Sequence, residues 1–270
     1  GYRRFSILGS QFLILSCQAM MMSAIYDKIG LGYARKRKPD YRIARAIHDA
    51  LGDAQSILNV GAGTGSYEPD NRTVTALEPS AEMIGQRPPD AAKAYQGSAE
   101  AIPFADNQFD AAMAVLTVHH WSDFEAGLRE MRRVAKGPIV ILTFDPESRY
   151  FWLADYIPEI IALDQPIMPK LEAFERILGP CKVEVVPVPH DCTDGFLGAY
   201  WQRPHAYLDP QVRAAISTFA KLDNITNALT KLEQDLASVA WEERYGHLTE
   251  LENLDVGYRL VVAQPISKKE

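Results

Sequence analysis

Hydrophobic positions change period along this chain, and the change divides it. Between 23 and 51, Ile25 and Ile29, and then Ile43, Ile47 and Leu51, recur four apart, which is one face of a helix. Gly30 and Gly32 interrupt that run, and Pro39-Asp40 gives a helix start. Short unbroken apolar runs follow at 57–60, 73–77, near Tyr95, at 109–118 and within 137–145. Bounded by turn residues, such runs predict buried strands. Helical patterns at 81–86 and 124–135 separate them, and strands alternating with helices predict a parallel α/β sheet. In the 124–135 helix Leu128, Met131 and Val134 form the inner face, with Arg129, Arg132 and Arg133 outside. The stretch 66–70 has room for only a short helix, because Pro69 cannot sit deep inside one.

Past 145 the pattern loosens. Residues 146–170 carry Tyr150, Phe151, Trp152 and Tyr156, with Pro158, Pro166 and Pro169 punctuating short helices. A strand at 183–186 and a last strand at 258–263 are separated by a long insert. That insert holds Phe196, Tyr200, Trp201, His205 and Tyr207, then amphipathic helices near 209–220 and 224–240. A long insert at this edge suits a lid over a substrate.

The first predicted strand stops at three glycines spaced two apart, in Asn59-Val60-Gly61-Ala62-Gly63-Thr64-Gly65. Glycine reaches positive φ without strain and lets a ligand approach the main chain. The second strand ends at Glu78, 17 positions after Gly61. In a doubly wound sheet that end lies beside the first turn, where an acid can accept hydrogen bonds from ribose hydroxyls. A dinucleotide loop needs G-x-G-x-x-G, but position 66 is Ser66, and no Gly-Lys-Ser/Thr ending makes a phosphate loop. A glycine turn and a ribose acid without a phosphate grip suit S-adenosylmethionine.

Four stretches in order resemble the class I S-adenosylmethionine-dependent methyltransferases, and within them the small-molecule, ubiquinone/menaquinone-type branch. These are the glycine turn, Leu77-Glu78-Pro79-Ser80 with Met83, Gly97-Ser98-Ala99-Glu100-Ala101-Ile102-Pro103-Phe104, and Phe109-Asp110. The resemblance covers 56–121. It implies a Rossmann-like, seven-stranded, mostly parallel sheet with helices on both faces, a helical N-terminal cap and a helical lid insert. It also implies S-adenosyl-L-methionine as cofactor and S-adenosyl-L-homocysteine as product. By resemblance the cofactor residues are Tyr33, Asn59, Gly61, Ala62, Gly63, Glu78, Pro79, Met83, Ser98, Ala99, Glu100 and Thr117. Tyr33 belongs to the pre-core helix, from which it reaches either the methionine end or the substrate; packing is the other role open to it.

The strand ending Thr117-Val118-His119-His120-Trp121 is the second informative place. Ligands sit outside the carboxyl ends of parallel strands. A histidine there is a candidate general base, with an unperturbed pKa of about 6.5. On extended backbone two adjacent side chains point opposite ways, so one of His119 and His120 faces the site and the other packs. The expected acceptor walls are aromatic: Trp121, Trp152, Tyr200 and Trp201. Such walls suit an apolar or aromatic small molecule and stabilise positive charge. The readings open are O- or N-methylation with a histidine base, C-methylation of a ring or terpenoid alkene in secondary metabolism, and a non-catalytic cofactor-binding regulator or partner subunit. No spacing of ligands suggests a metal.

Composition narrows the partners. The chain of 270 residues has 28 Lys+Arg against 35 Asp+Glu, a net charge of −7, which argues against a nucleic-acid substrate. Cys17, Cys181 and Cys192 are few and scattered, the usage of a reducing compartment, and a cytoplasmic location is expected. No apolar run reaches the roughly 18 residues that span a bilayer. Arg3-Arg4 and the apolar residues behind them look like a leader, or like a helix that packs on the domain or joins a homo-oligomer. Met20-Met21-Met22 raises the question whether 1–19 belong to the natural protein. The expected division is 1–22 leader or apolar helix, 23–52 cap helices, 53–145 cofactor core, 146–257 core completion with lid insertions, and 258–270 last strand and tail. Arg35-Lys36-Arg37-Lys38 is a basic run suited to a solvated face, or to steering an anionic substrate or membrane headgroup.

Overall fold

The computed structural model describes residues 37–148 and 151–265. Tyr33, the apolar N-terminal stretch and any subunit contact made through it lie outside the described residues. The first element is helix α1 (Tyr41–Ala50), capped by Asp40, whose side chain accepts the Arg42 amide, and buried along Ile43 and Ile47. The sheet strands are β1 (Ser56–Val60), β2 (Thr73–Glu78), β3 (Lys93–Gln96), β4 (Ala111–Val115) and β5 (Ile139–Phe144). Helix α2 (Ala81–Gly85) follows β2, and α3 (Phe124–Val134) follows β4. Three helices, α4 (Leu153–Tyr156), α5 (Glu159–Asp164) and α6 (Leu171–Leu178), lead to β6 (Cys181–Val185). A short β7 (Val188–Pro189) opens the insert, which contains α7 (Pro210–Ala214), α8 (Thr226–Ala237) and α9 (Ala240–Tyr245). The chain closes with β8 (Asn253–Leu254) and β9 (Tyr258–Ala263).

Seven strands form one sheet in the order β3-β2-β1-β4-β5-β9-β6. The first five are parallel, and β9 runs antiparallel between β5 and β6, with Val261 opposite both Ile141 and Val183. This is the Rossmann-like, mostly parallel sheet expected from the strand and helix pattern. Parallel strands buried on both faces need no polar alternation, and β5 is buried at every position. Adjacent residues of β1 serve opposite layers. Ile57 joins Ile43, Ile47, Met113 and Val140 on one face, while Leu58 joins Leu128, Met131, Val134 and Phe174 on the other. A third core joins the insert to the α4–α5 segment, built from Trp152, Tyr156, Tyr207, Leu232, Trp241 and Tyr245.

Three local expectations are corrected. No helix forms at 66–70; the chain runs in turns, with Tyr67 at φ 67°. Pro69 denies a helix its amide, and a buried ion pair holds the segment instead. Arg87 meets Glu68 at 2.6 Å and donates to the Gly63 carbonyl at 3.1 Å, while the Asn59 amide donates to Glu68. The strand expected over 109–118 stops at Val115, because Leu116 turns to φ 52° and Val118–His120 forms one turn of 3-10 helix. Arg132 and Arg133 are not on a solvated face. Arg133 bonds Glu130, Asp106 and the Ile102 and Phe104 carbonyls, and Arg132 bonds the Gly137 carbonyl.

The Glu68–Arg87 pair stabilises the fold only while both partners are present. Arg87→Met strands a buried carboxylate and is expected to lower unfolding free energy by about 3 kcal/mol in urea titrations, with Glu68→Gln/Arg87→Met recovering much of it. A cost for Arg87→Met below about 1 kcal/mol, the range of an exposed pair, would remove the pair from any role in holding the turn.

Candidate functional site

The glycine turn is fixed from outside. Gly61 and Ala62 both donate their amides to the Leu77 carbonyl, at 2.8 and 3.1 Å, which ties the end of β1 to β2. Gly61, Gly63 and Gly65 sit at φ 70°, 51° and 94°, conformations that side chains resist. A Cβ at Gly61 would also collide with the Thr117 side chain. Glu78, at the end of β2, accepts the Gly63 amide at 2.8 Å through one oxygen and the Ser80 amide at 2.9 Å through the other. Burial pushes the Glu78 carboxyl up from its ordinary range, and the two amides pull it back. Each carboxylate oxygen keeps a further lone pair for a ligand.

Around this turn lies a cavity of about 220 Å³ at the carboxyl ends of β1, β2 and β4. Asn59, Gly61, Ala62, Gly63, Glu78 and Pro79 line it. Met83, Ser98, Ala99, Glu100 and Thr117 line it as well. All the cofactor positions expected from the sequence, Tyr33 aside, therefore converge here. Two do so with their polar groups engaged elsewhere. Burial raises the Glu100 carboxyl, but donors from Asp123, Ser122 and Ser98 outweigh it and hold it low, so Glu100 ties the following loop. Asn59 spends its amide on Glu68, while its Oδ1 is buried without a donor among the described residues. Trp121, expected to wall the acceptor, lines this cavity instead. A carboxylate beside a glycine turn, an apolar slot of Pro79, Met83 and Ala99, and an unpaired amide oxygen match a nucleoside with an amino-acid tail.

A second, smaller chamber of about 80 Å³ adjoins the first, and Arg37, Leu116 and His120 line both. Its remaining walls are His119 from the 3-10 turn, Phe144 and Tyr258 from the sheet, and Asp164, Met168, Phe196, Leu197, Ile216, Ser217 and Thr218 from the later segments. The histidine rings do not diverge as extended backbone would require. They touch at a tilt, centroids 3.8 Å apart and planes at 52°, because the 3-10 turn brings them together. Burial, helped by the positive charge of Lys221, pushes His119 down to about 3 and His120 well below its usual value. Both are neutral at ordinary pH.

Three expected acceptor walls are absent from this chamber. Trp201 is fully buried, donating its indole N–H to the Val188 carbonyl at 2.9 Å. Trp152 lies in the third core and donates to the Trp201 carbonyl at 2.7 Å. Tyr200 packs on Tyr207 beneath the Arg203 guanidinium. Buried tryptophans need a partner for the indole N–H, and both found one in the backbone. The walls that replace them were visible only in part: Phe144 stands at a strand end, where a ligand is expected, whereas nothing in the pattern marks Asp164 or Ile216. Arg37 was read as part of a basic run. It bonds Asp194 at 2.6 Å, and the Tyr67 hydroxyl donates to the same carboxylate at 2.8 Å, which joins the edge of the site to the insert. Among the described residues no group of His, Cys, Asp and Glu is arranged to hold a metal ion, and no helix is long and apolar enough to cross a membrane.

Known proteins share this arrangement. Residues 58–139 match the family described as "Methyltransferase domain". The crystal structure of a protein described as a methyltransferase of an antibiotic biosynthesis pathway in Anabaena variabilis is 32% identical, with a TM-score of 0.79 over 84% of this chain and 98% of that one. Malonyl-[acyl-carrier protein] O-methyltransferase of Erwinia pyrifoliae is 40% identical over 33% of this chain and 36% of its own length. Demethylmenaquinone methyltransferase of Renibacterium salmoninarum is 33% identical over 44% of this chain and 52% of its own. The matches thus span between about a third and about half of these two curated relatives. With the glycine turn, the acid on β2 and near-complete coverage of the Anabaena fold, the chain belongs to the class I S-adenosylmethionine-dependent methyltransferases.

Proposed function

We propose that this chain transfers a methyl group from S-adenosyl-L-methionine to an apolar small molecule held in the second chamber, with His120 receiving the acceptor's proton. The observation that carries the reading is that His120 lines both cavities and so stands where donor and acceptor meet. The cofactor, when bound, supplies an electrophilic methyl group on a sulfonium. Glu78 would hold its ribose, Asn59 Oδ1 its amino group, and Pro79, Met83 and Ala99 its adenine. The protein's part is to align acceptor and methyl and to keep water away. A deeply depressed histidine is a weak base in the resting site, but it is always unprotonated. The acceptor's O–H or N–H becomes strongly acidic only as the new bond to carbon forms, and a weak neutral base then suffices.

The chamber's size favours a small molecule over a polymer. Phe144, Phe196 and Tyr258 would also shelter developing positive charge, which supports C-methylation of a ring or a terpenoid alkene as a second reading. The similarity to a demethylmenaquinone methyltransferase and to a protein of an antibiotic pathway supports a ring-bearing or secondary metabolite. A regulator that only bound the cofactor would have no use for the adjoining chamber, so the enzyme reading is preferred. The helices over the chamber act as its lid in this reading.

Glu78→Ala is expected to weaken adenosylhomocysteine binding by about 1–3 kcal/mol in calorimetry. Gly61→Ala is expected to lose it altogether, because the new Cβ meets Thr117 at a left-handed φ. Wild-type affinity in both would refute the assignment of this cavity. His120→Ala should lower turnover about 100-fold with cofactor affinity unchanged, measured with labelled cofactor and a panel of phenols, amines and prenylated indoles. Equal and mild losses in His119→Ala and His120→Ala would mean that neither moves the proton.

A further inference from the structure

We propose that Asp164 anchors the methyl acceptor: its carboxylate takes the hydrogen bond of a hydroxyl group on a neutral acceptor, at the end of the second chamber away from the cofactor. The inference rests on the methyltransferase reading and deepens it by naming what the acceptor must carry. Asp164 is the last residue of α5 and is 6% exposed. It lines the second chamber alone, whereas His120 lines both. The carboxylate therefore positions the acceptor, and the histidine meets the reacting end.

The carboxylate is under-satisfied by the protein. Its hydrogen-bond donor is the Thr218 hydroxyl, at 3.1 and 3.3 Å from its two oxygens, and it takes part in no ion pair among the described residues. A carboxylate has about four lone-pair sites, so the Thr218 hydroxyl leaves part of its accepting capacity open in a chamber whose walls are both apolar and polar. Buried polar groups in native folds are nearly always paired, and an exception calls for a missing partner. His119 Nδ1, in the same chamber, is likewise buried without a partner among the described residues.

The charges facing Asp164 select the kind of donor. Lys221 acts on it through space, and burial pulls that ammonium down from its ordinary value. His119 and His120 are neutral, Arg37 is bonded to Asp194, and Tyr258 is held in its phenol form by burial, with the negative charge of Asp164 adding to it. One acid faces one base, so a cationic acceptor would meet an already balanced site, and a hydroxyl is the matching donor.

The fold gains nothing from this acid. Burial raises Asp164 to about 6 from 3.8, against the Thr218 bond and the Lys221 charge. A carboxyl whose folded pKa lies above its unfolded value binds its proton more tightly in the native state. Its contribution to stability is full below about 3.8, is lost as pH rises to about 6, and stays lost above. Buried acids with raised pKa values cluster at functional sites, in keeping with the place of Asp164 in the chamber wall.

The test uses adenosylhomocysteine-loaded protein and two probes that differ by a hydroxyl for a methyl, 4-methylphenol and 1,4-dimethylbenzene, with affinities read by calorimetry or ligand-observed NMR. A site built for a hydroxyl is expected to favour the phenol by about tenfold or more at pH 8, and that preference is expected to weaken as pH falls through about 6. Asp164→Leu should abolish the preference, and Asp164→Asn its pH dependence. Thr218→Val should move the midpoint upward while keeping the preference at pH 8. Both Asp164 variants should melt higher than wild type at pH 8 and lose that advantage below about pH 4, the opposite of what a purely structural acid would do. Absence of a phenol preference in wild type, whether both probes bind or neither does, overturns the proposal, as does its survival in Asp164→Leu. Failure to bind adenosylhomocysteine overturns the methyltransferase reading instead, so the two outcomes are separable.

Discussion

The hydrogen bond from the Gly63 amide to the Glu78 carboxylate is the constraint on which the site turns. It joins the end of β1 to the end of β2 through one side chain. The two amides that Gly61 and Ala62 give to Leu77 work in the same direction. A left-handed turn at three glycines has many alternatives in an unfolded chain, and each of these bonds removes some of them. The carboxylate is thus both a strut for the turn and the acceptor beside which a ribose would lie. That double duty explains why it is buried although it is an acid.

Where the sequence leaves room for a short helix after the glycines, this chain has an ion pair. Pro69 prevents the helix, so the turn lacks the N-terminal amides that a helix would offer. Arg87 substitutes for them from the far side, holding Glu68 and the Gly63 carbonyl together. Two buried charges are a costly way to hold a loop unless both are fully bonded. Here Asn59 and the Ala92 carbonyl add to the bonding, while Arg87 Nε stays buried without a partner among the described residues.

The cofactor half of the site was legible because it is written in local chemistry. Glycines, a strand-ending acid and the Ser98-Ala99-Glu100 turn each sit at a strand end whose position follows from the α/β pattern. The acceptor half was not, for two physical reasons. Aromatic residues of an insert are as useful to a core as to a ligand, and Trp152 and Trp201 went to the core, their indole N–H groups taken by backbone carbonyls. The histidines were assigned opposite directions because the strand was read as continuing through them. A single left-handed residue, Leu116, ends it, and nothing in a leucine announces positive φ. Asp164 ends a six-residue helix with no motif around it, so only the folded chamber reveals it.

The pairing of β9 between β5 and β6 has a consequence for how such a protein diversifies. The insert leaves the sheet after β6 and returns to it at β9, and the short β7–β8 ladder draws its two stems together just outside. The aromatic core is shared between the insert and the α4–α5 segment, and Phe196 and Trp201 of the insert also enter the core of the sheet, so packing as well as the two stems fastens it. Exchanging or resizing it would leave the strand order intact but would disturb the bonds that Asp194 makes to Arg37 and Tyr67 at the edge of the first cavity. The second chamber takes walls from the scaffold and from the insert alike, so a change in either part reshapes it.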